Sequence, residues 1–429
     1  MNRYLHTYQE VVGQLGHWIF LLMIFSLPYS PAITRPLWVA WLIAWLLEGR
    51  WLQRENYRIE RAPLAILAGS AVFLGWEMIS AAWSIEPQHT WDIVGRHVNL
   101  LCIPIITMVG LNRRYQLRTA LLTLLLTSVT SIGVYAMIHY WIYNPAQAFD
   151  QHYAGDLTAI DWRHMSRLTL SIKHRLYYAL PLGISLCTLP WLEKEMEERI
   201  GRWQAIVLAI LSAGVLVTGI WMSGSRQVIL ILLLLGALYL IGRIPRRGRI
   251  PAAVVILAAA IAAGYVYLGH TRTEDRNGED LLAYHPEQEI PSAEPRLAIW
   301  HTVWAGREDY PPLGLGAGCD VDYLAPKYEE HGWTRFIYCR YNAHNQYMSE
   351  WMELGIAGAI YFAIFWLSIP GWFQRERGWA MALWSMIALS CLTENVLARI
   401  EGIILVAIVW LMMLQMSDEN EYTSSVRPD

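Results

Sequence analysis

The chain has 429 residues, 55% of them hydrophobic and only 16% charged, whereas soluble domains are about a quarter charged. Its charges cluster between apolar runs of about 20 residues, which excludes an ordinary soluble multidomain protein and points to one helical membrane domain. A net charge of −3 provides no basic surface for nucleic acid.

The segment Met1 to Gly16 is mixed in polarity and leads into the first apolar run with no small-residue cleavage site, so no cleavable signal is expected. Apolar runs then fall at 15–33, 37–52, 63–83, 98–111, 119–142, 176–192, 203–222, 227–242, 251–269, 346–370, 379–393 and 402–416. They predict an all-α polytopic fold with about twelve transmembrane helices, because lipid offers no partner to an unpaired backbone amide. The predicted organisation is helices one to nine within 1–269, a large periplasmic loop with amphipathic helices over 270–343, helices ten to twelve within 344–416, and a polar cytoplasmic tail over 417–429. Many of the 22 Trp and 23 Tyr stand at run ends, where amphipathic rings prefer the headgroup zone.

Alternate short loops differ sharply in basic residues. One set holds Arg50, Arg54, Arg58 and Arg61, then Arg113, Arg114 and Arg118, then Lys194, Arg199 and Arg202, then Arg243, Arg246, Arg247 and Arg249, then Arg375 and Arg377. The other set carries mostly single cations: Arg35, Arg96, Arg226 and Arg399. The positive-inside rule therefore puts both termini in the cytoplasm and the long segments 143–174 and 270–343 outside.

This orientation gathers Arg175, Arg226, Arg296, His344, Arg399 and Glu401 at the outer loops or the helix ends beside them. Ser223-Gly224-Ser225-Arg226 is a short turn between two apolar helices. Serine caps, a helix N-terminus and a planar guanidinium suit phosphate oxygens, although an arginine that snorkels to the headgroups fits as well. Ser292 and Pro295 mark a helix start, and Leu297, Trp300 and Trp304 repeat at helical spacing beyond it. Arg296 falls in that helix's first turn, where a cation is mildly unfavourable and an anionic partner would offset the cost.

His344 lies in Asn342-Ala343-His344-Asn345-Gln346-Tyr347. A helix from Asn342 would lift it about 15 Å above the apolar run from Leu354, at about 1.5 Å per residue. That is headgroup height, and a neutral imidazole beside a helix N-terminus can take a proton from a sugar hydroxyl. A hydrogen-bonded structural histidine satisfies the same pattern. Asp320-Val321-Asp322 has the spacing of a metal-holding carboxylate pair but also fits a solvated loop. His164, Lys173 and His174 can reach substrate from the first long loop. Glu401 is expected to pair with Arg399. Cys319 and Cys339 share one outer segment, where a disulfide can form. The chain has no phosphate-cradling glycine loop, zinc-ligand spacing or nucleophile elbow, which removes support for ATP-driven transport and serine hydrolysis.

Four stretches together resemble the bacterial O-antigen ligase and O-antigen polymerase superfamily. They are Trp83-Ser84-Ile85-Glu86-Pro87, Ser223-Gly224-Ser225-Arg226, Arg296 to Trp300 with Pro312-Leu313-Gly314-Leu315-Gly316-Ala317-Gly318, and His344-Asn345-Gln346-Tyr347 through Glu353-Leu354-Gly355-Ile356-Ala357-Gly358. The resemblance implies an inner-membrane glycosyltransferase that uses an undecaprenyl-diphosphate-linked glycan at the periplasmic face. It implies no nucleotide sugar, cofactor or metal. The acceptor would be lipid A–core for a ligase, the favoured reading, or a second carrier-linked glycan for a polymerase. The residues matching the family's are Arg226 and Arg296, which would bind the diphosphate, and His344, which would activate the acceptor; Arg175 is a further candidate for the diphosphate, and Asn345, Arg399 and Glu401 are secondary candidates. Gln227 departs from the glycine that many members carry after the arginine. The rival class is a lipid-linked glycan transporter, which needs ionisable residues at mid-depth; Glu77 is among the few the sequence offers.

Overall fold

The computed structural model describes residues 2–110, 117–142, 174–243, 245, 295–373 and 377–425, and all regular structure among them is helical. Helices α1 (Asn2–Ser26) and α2 (Pro31–Glu48) form a hairpin. The Ser30 hydroxyl accepts from Ala32 N–H, and Pro31 supplies a preset first residue. Gly49, at φ 70°, closes the far end with its N–H on Leu46 O. α3 (Arg61–Ser80) follows, then α4 (Pro87–His97), which runs through a 3₁₀ turn at Val98–Leu101 into α5 (Cys102–Gly110). The remaining membrane-type helices are α6 (Leu117–Ile142), α7 (Arg175–Ile200), α8 (Arg202–Met222) and α9 (Arg226–Arg243).

Between α9 and the last helices the chain contributes α10 (Pro295–Ala305), α11 (Asp320–Glu330) and α12 (Thr334–Tyr338). The chain ends in α13 (Gln346–Ser368), α14 (Arg377–Ser390) and α15 (Ile400–Ser425).

Six helical stretches among the described residues are long and apolar enough to cross a membrane: Arg61–Ser80, Pro87–Gly110, Leu117–Met137, Arg202–Met222, Arg226–Arg243 and Gln346–Trp372. This is fewer than the predicted twelve. α14 is only 14 residues long, α7 ends in a run of charged residues, and the apolar part of α15 spans only Ile400–Gln415. The predicted ninth run, 251–269, lies outside the described residues. Two boundaries also move. The span expected at 98–111 begins at Pro87, and the last helix continues to Ser425 through the predicted polar tail.

α15 is the centre of the bundle. Residues 402–415 are buried on every side, whereas the outward faces of α8 and α9 stay apolar and exposed at Ile210, Leu211, Leu230 and Leu233. That is the pattern of a helix bundle that faces hydrocarbon rather than water.

A smaller core of Ala298, Ile299, Val303, Leu324, Tyr328, Phe336, Ala343 and Met352 holds α10–α12 against the start of α13. The buried face of α10 is therefore Ala298, Ile299, Thr302 and Val303, while the expected stripe leaves Leu297 and Trp304 exposed. The glycine-rich stretch before α11 crosses α13 where that helix breaks. Gly355 there has φ 70° and ψ −178°, and a Cβ on it would lie 2.2 Å from Pro312 O. The freed helix carbonyls accept across the crossing, Met352 O from Leu315 N at 2.9 Å and Glu353 O from Gly316 N at 2.9 Å.

Candidate functional site

The loop between α14 and α15 gathers the polar groups. Its Glu394 is 4% exposed, too buried for a carboxylate without partners, and three side chains from other elements meet it. His344 Nδ1 lies 3.2 Å from Oε1. His174 Nε2, just before α7, lies 3.7 Å from Oε2. The Arg296 guanidinium, in the first turn of α10, lies 3.6 Å from Oε2, and Arg296 Nε–H donates to Thr393 O at 2.9 Å. Glu394 is thus an anionic partner for the cation that the sequence puts at this helix start.

Burial alone would push the Glu394 carboxyl up. The bond to His344 and the charges of His344, His174 and Arg296 outweigh it and hold the group at about 2. His174 moves down: burial opposes its charge more than Glu394 favours it, and Arg399, His344 and Arg296 add repulsion. His174 is therefore neutral at neutral pH and adds its charge to the site only in acid.

His344 does not ride on a helix from Asn342. α13 begins at Gln346 with Asn345 as its cap, its Oδ1 accepting from Met348 N at 3.2 Å. His344 precedes the cap in the left-handed region, φ 46°, an uncommon conformation for a residue with a Cβ. Three successive amides are held by side chains: Ala343 N by Asp320 Oδ2 at 3.1 Å, His344 N by Asn342 Oδ1 at 3.1 Å, and Asn345 N by Asn395 Oδ1 at 2.8 Å. Trp300 Nε1–H donates to Ala343 O at 3.1 Å, tying α10 to the same strap.

Arg226 opens α9 on an exposed position. The Ser223 hydroxyl accepts from Ser225 N within the preceding turn. Gln227 Nε2–H donates to Ser390 O at 2.6 Å, so the residue that departs from glycine joins α9 to the end of α14, where the Glu394 loop begins. Arg175 is the first residue of α7, directly after His174. Glu401 pairs with Arg35 instead of Arg399, and Arg96 donates to Ala398 O at 2.8 Å. These cations brace the loop from α2 and α4.

The remaining expectations divide. Asp320 and Asp322 do not form a solvated loop or face one point. Asp320 is buried, whereas Asp322 Oδ2 lies 2.6 Å from His89 Nδ1. Cys319 and Cys339 are both free; Cys319 is buried with its sulfur 3.2 Å from Ser84 Oγ, and Cys339 is exposed. His164 and Lys173 lie outside the described residues. The polar interior is richer than Glu77 alone: Glu77 Oε1 is 2.6 Å from His97 Nδ1, and Gln346 joins Glu350, through Nε2 at 2.7 Å, to Leu397 N, through Oε1 at 2.9 Å.

Sequence reasoning missed Glu394, Asn395 and the role of Asp320. A signal for the first two was present: Thr393-Glu394-Asn395 is a polar interruption between the last two apolar runs, on the predicted side of His344.

Residues 211–363 match the family model described as O-antigen ligase, a stretch that includes Arg226, Arg296 and His344 and stops before Glu394. No curated protein matches the chain.

Proposed function

We propose that this chain, which belongs to the O-antigen ligase and polymerase superfamily, transfers a glycan from undecaprenyl diphosphate to lipid A–core at the periplasmic face of the inner membrane. The observation that carries the reading is the convergence of His344, from the strap before α13, and Arg296, from the first turn of α10, on Glu394.

Glu394 accepts the Nδ1 proton of His344, which leaves the Nε2 lone pair for an acceptor hydroxyl. The hydroxyl proton moves to Nε2 and the oxygen attacks the anomeric carbon. The carbon–oxygen bond to the diphosphate breaks on the opposite side, its electron pair leaving with undecaprenyl diphosphate. A single displacement of this kind inverts the anomer. Arg296 and Arg226, with Arg175, neutralise the diphosphate as its charge grows. Arg399 adds positive field, Asn345 holds the start of α13, and Glu401 braces the loop through Arg35.

His344→Ala removes the base and is expected to lower transfer by about 10²–10⁴-fold with normal membrane insertion. Near wild-type transfer would remove His344 from the role. Ligase and polymerase are separated by the product in a deletion strain: long polymer left on the carrier marks a lost ligase, and single repeats mark a lost polymerase.

The Glu77, His97 and Glu350 group is what a lipid-linked glycan transporter would require. It is sealed, with Glu77 and Glu350 each 1% exposed, and Gln346 connects it to the site loop. It serves the scaffold of the transferase site better than a path across the membrane.

A further inference from the structure

Asp320 is the first residue of α11 and is 5% exposed. One oxygen, Oδ2, accepts three hydrogen bonds from three separate elements: Ala343 N at 3.1 Å, Ser349 Oγ at 2.9 Å and Asn395 Nδ2 at 3.1 Å. The donors are not arbitrary. Ala343 precedes His344, Asn395 follows Glu394, and Ser349 lies in the first turn of α13. Asn395 closes the circuit, since its Oδ1 takes Asn345 N at 2.8 Å. Asp320, Ala343, His344, Asn345 and Asn395 therefore form a closed ring, with His344 held at φ 46° inside it and Glu394 attached to its far edge. Ser349 Oγ also reaches Glu353 Oε1 at 3.0 Å, and Glu353 Oε2 accepts from Gly318 N, two residues before Asp320, at 2.8 Å. α11 is thus secured to α13 on both sides of the ring.

We propose that Asp320 is a positioning residue of the transferase: it fixes the 3.2 Å approach of His344 to Glu394 by holding the residue before the one and the residue after the other. This rests on the role proposed for His344. Asp320 has no place among the donor or acceptor contacts, and it acts only through the two groups it aligns. Without it, the amide of Ala343 and the side chain of Asn395 lose their common acceptor, and the left-handed turn at His344 loses one of its three supports.

The test is a double-mutant cycle in the full-length chain, reconstituted in liposomes with lipid A–core as acceptor and read by release of undecaprenyl diphosphate from a carrier-linked polysaccharide. A misplacement of about 1 Å costs about 10²-fold, so Asp320→Ala is expected to lower kcat by about that factor with little change in the KM for the donor. Asp320→Asn, which keeps an oxygen acceptor, is expected to recover about tenfold of the loss. In a His344→Ala background both substitutions are expected to change the rate by less than about twofold, because the group they align is gone. A full, multiplicative loss in that background would overturn the positioning role while leaving the transferase reading intact. Unchanged release by His344→Ala alone would overturn both. Should Asp320→Ala fail to insert, Asp320→Asn runs the same cycle, and an unaltered rate for it in the wild-type background also overturns the proposal.

Discussion

Glu394 Oε1 and His344 Nδ1 stand 3.2 Å apart although 50 positions separate them in the chain. The contact orients the imidazole, and in the proposed reaction it selects the tautomer that leaves Nε2 free. Glu394→Gln keeps the shape and removes the charge. Its amide can present NH₂ to Nδ1 and select the opposite tautomer. Turnover in vesicles is expected to fall by about 10²-fold or more, with unchanged protein in the membrane. A rate within a few-fold of wild type would show that the base does not depend on the carboxylate.

Arg296 makes two contacts from one side chain, Nε–H to Thr393 O and the guanidinium to Glu394. A lysine ammonium cannot serve both points with the same planar fork. Arg296→Lys is expected to lower kcat/KM for the lipid-linked donor by about tenfold, equivalent to about 1.4 kcal/mol, and Arg296→Ala by more. Equal values for arginine and lysine would mean that only the charge matters there.

Much of the scaffold was legible because hydrocarbon imposes long uninterrupted runs. The runs read at 203–222 and 227–242 became Arg202–Met222 and Arg226–Arg243. The start of the span at Pro87 was not legible, since Thr90 and His97 look like loop residues. Their polarity is met by tertiary partners, Thr90 by Ala317 O at 2.8 Å and His97 by Glu77, which hydropathy does not register. The same distinction holds at the site. His344 stands out as a polar residue at the edge of an apolar run, and Arg296 as a cation in the first turn of an amphipathic loop helix. Glu394 gains meaning only from contacts 50, 98 and 220 positions away, and Asp320 was hidden because a carboxylate at the start of a loop helix reads as solvated unless its three donors are known.

Acid should expose the charge on Glu394. The group is held at about 2 in the folded chain against an ordinary 4.5. A depressed carboxyl stabilises the fold above its unfolded value, and that stability is lost as pH falls from about 4.5 toward about 2. In detergent, the melting temperature of the wild type is expected to fall more steeply over this window than that of Glu394→Gln. Asp320 shifts the other way: burial raises its carboxyl against the bonds from Ala343, Ser349 and Asn395. The difference between the two proteins isolates Glu394. Parallel curves would mean that the carboxylate gains nothing from its partners.

Gly402, in the first turn of the buried α15, tests whether the loop's position matters more than the helix's propensity. Alanine is the better helix former by about 1 kcal/mol, so on propensity alone Gly402→Ala would raise the melting temperature. The added Cβ would stand 1.8 Å from Val396 O, a backbone atom of the Glu394 loop. Either α15 or that loop must then move. α15 is enclosed over 402–415, which leaves the loop as the part that shifts, carrying Glu394 and Asn395 away from His344 and Asn345. The expected outcome is a lower melting temperature together with at least about tenfold slower release of undecaprenyl diphosphate, since misplacement of about 1 Å suffices for more. A more stable protein with wild-type turnover would show that the loop can yield at Val396 without disturbing the carboxylate, and the tight apposition of loop and helix would then have no part in holding the site.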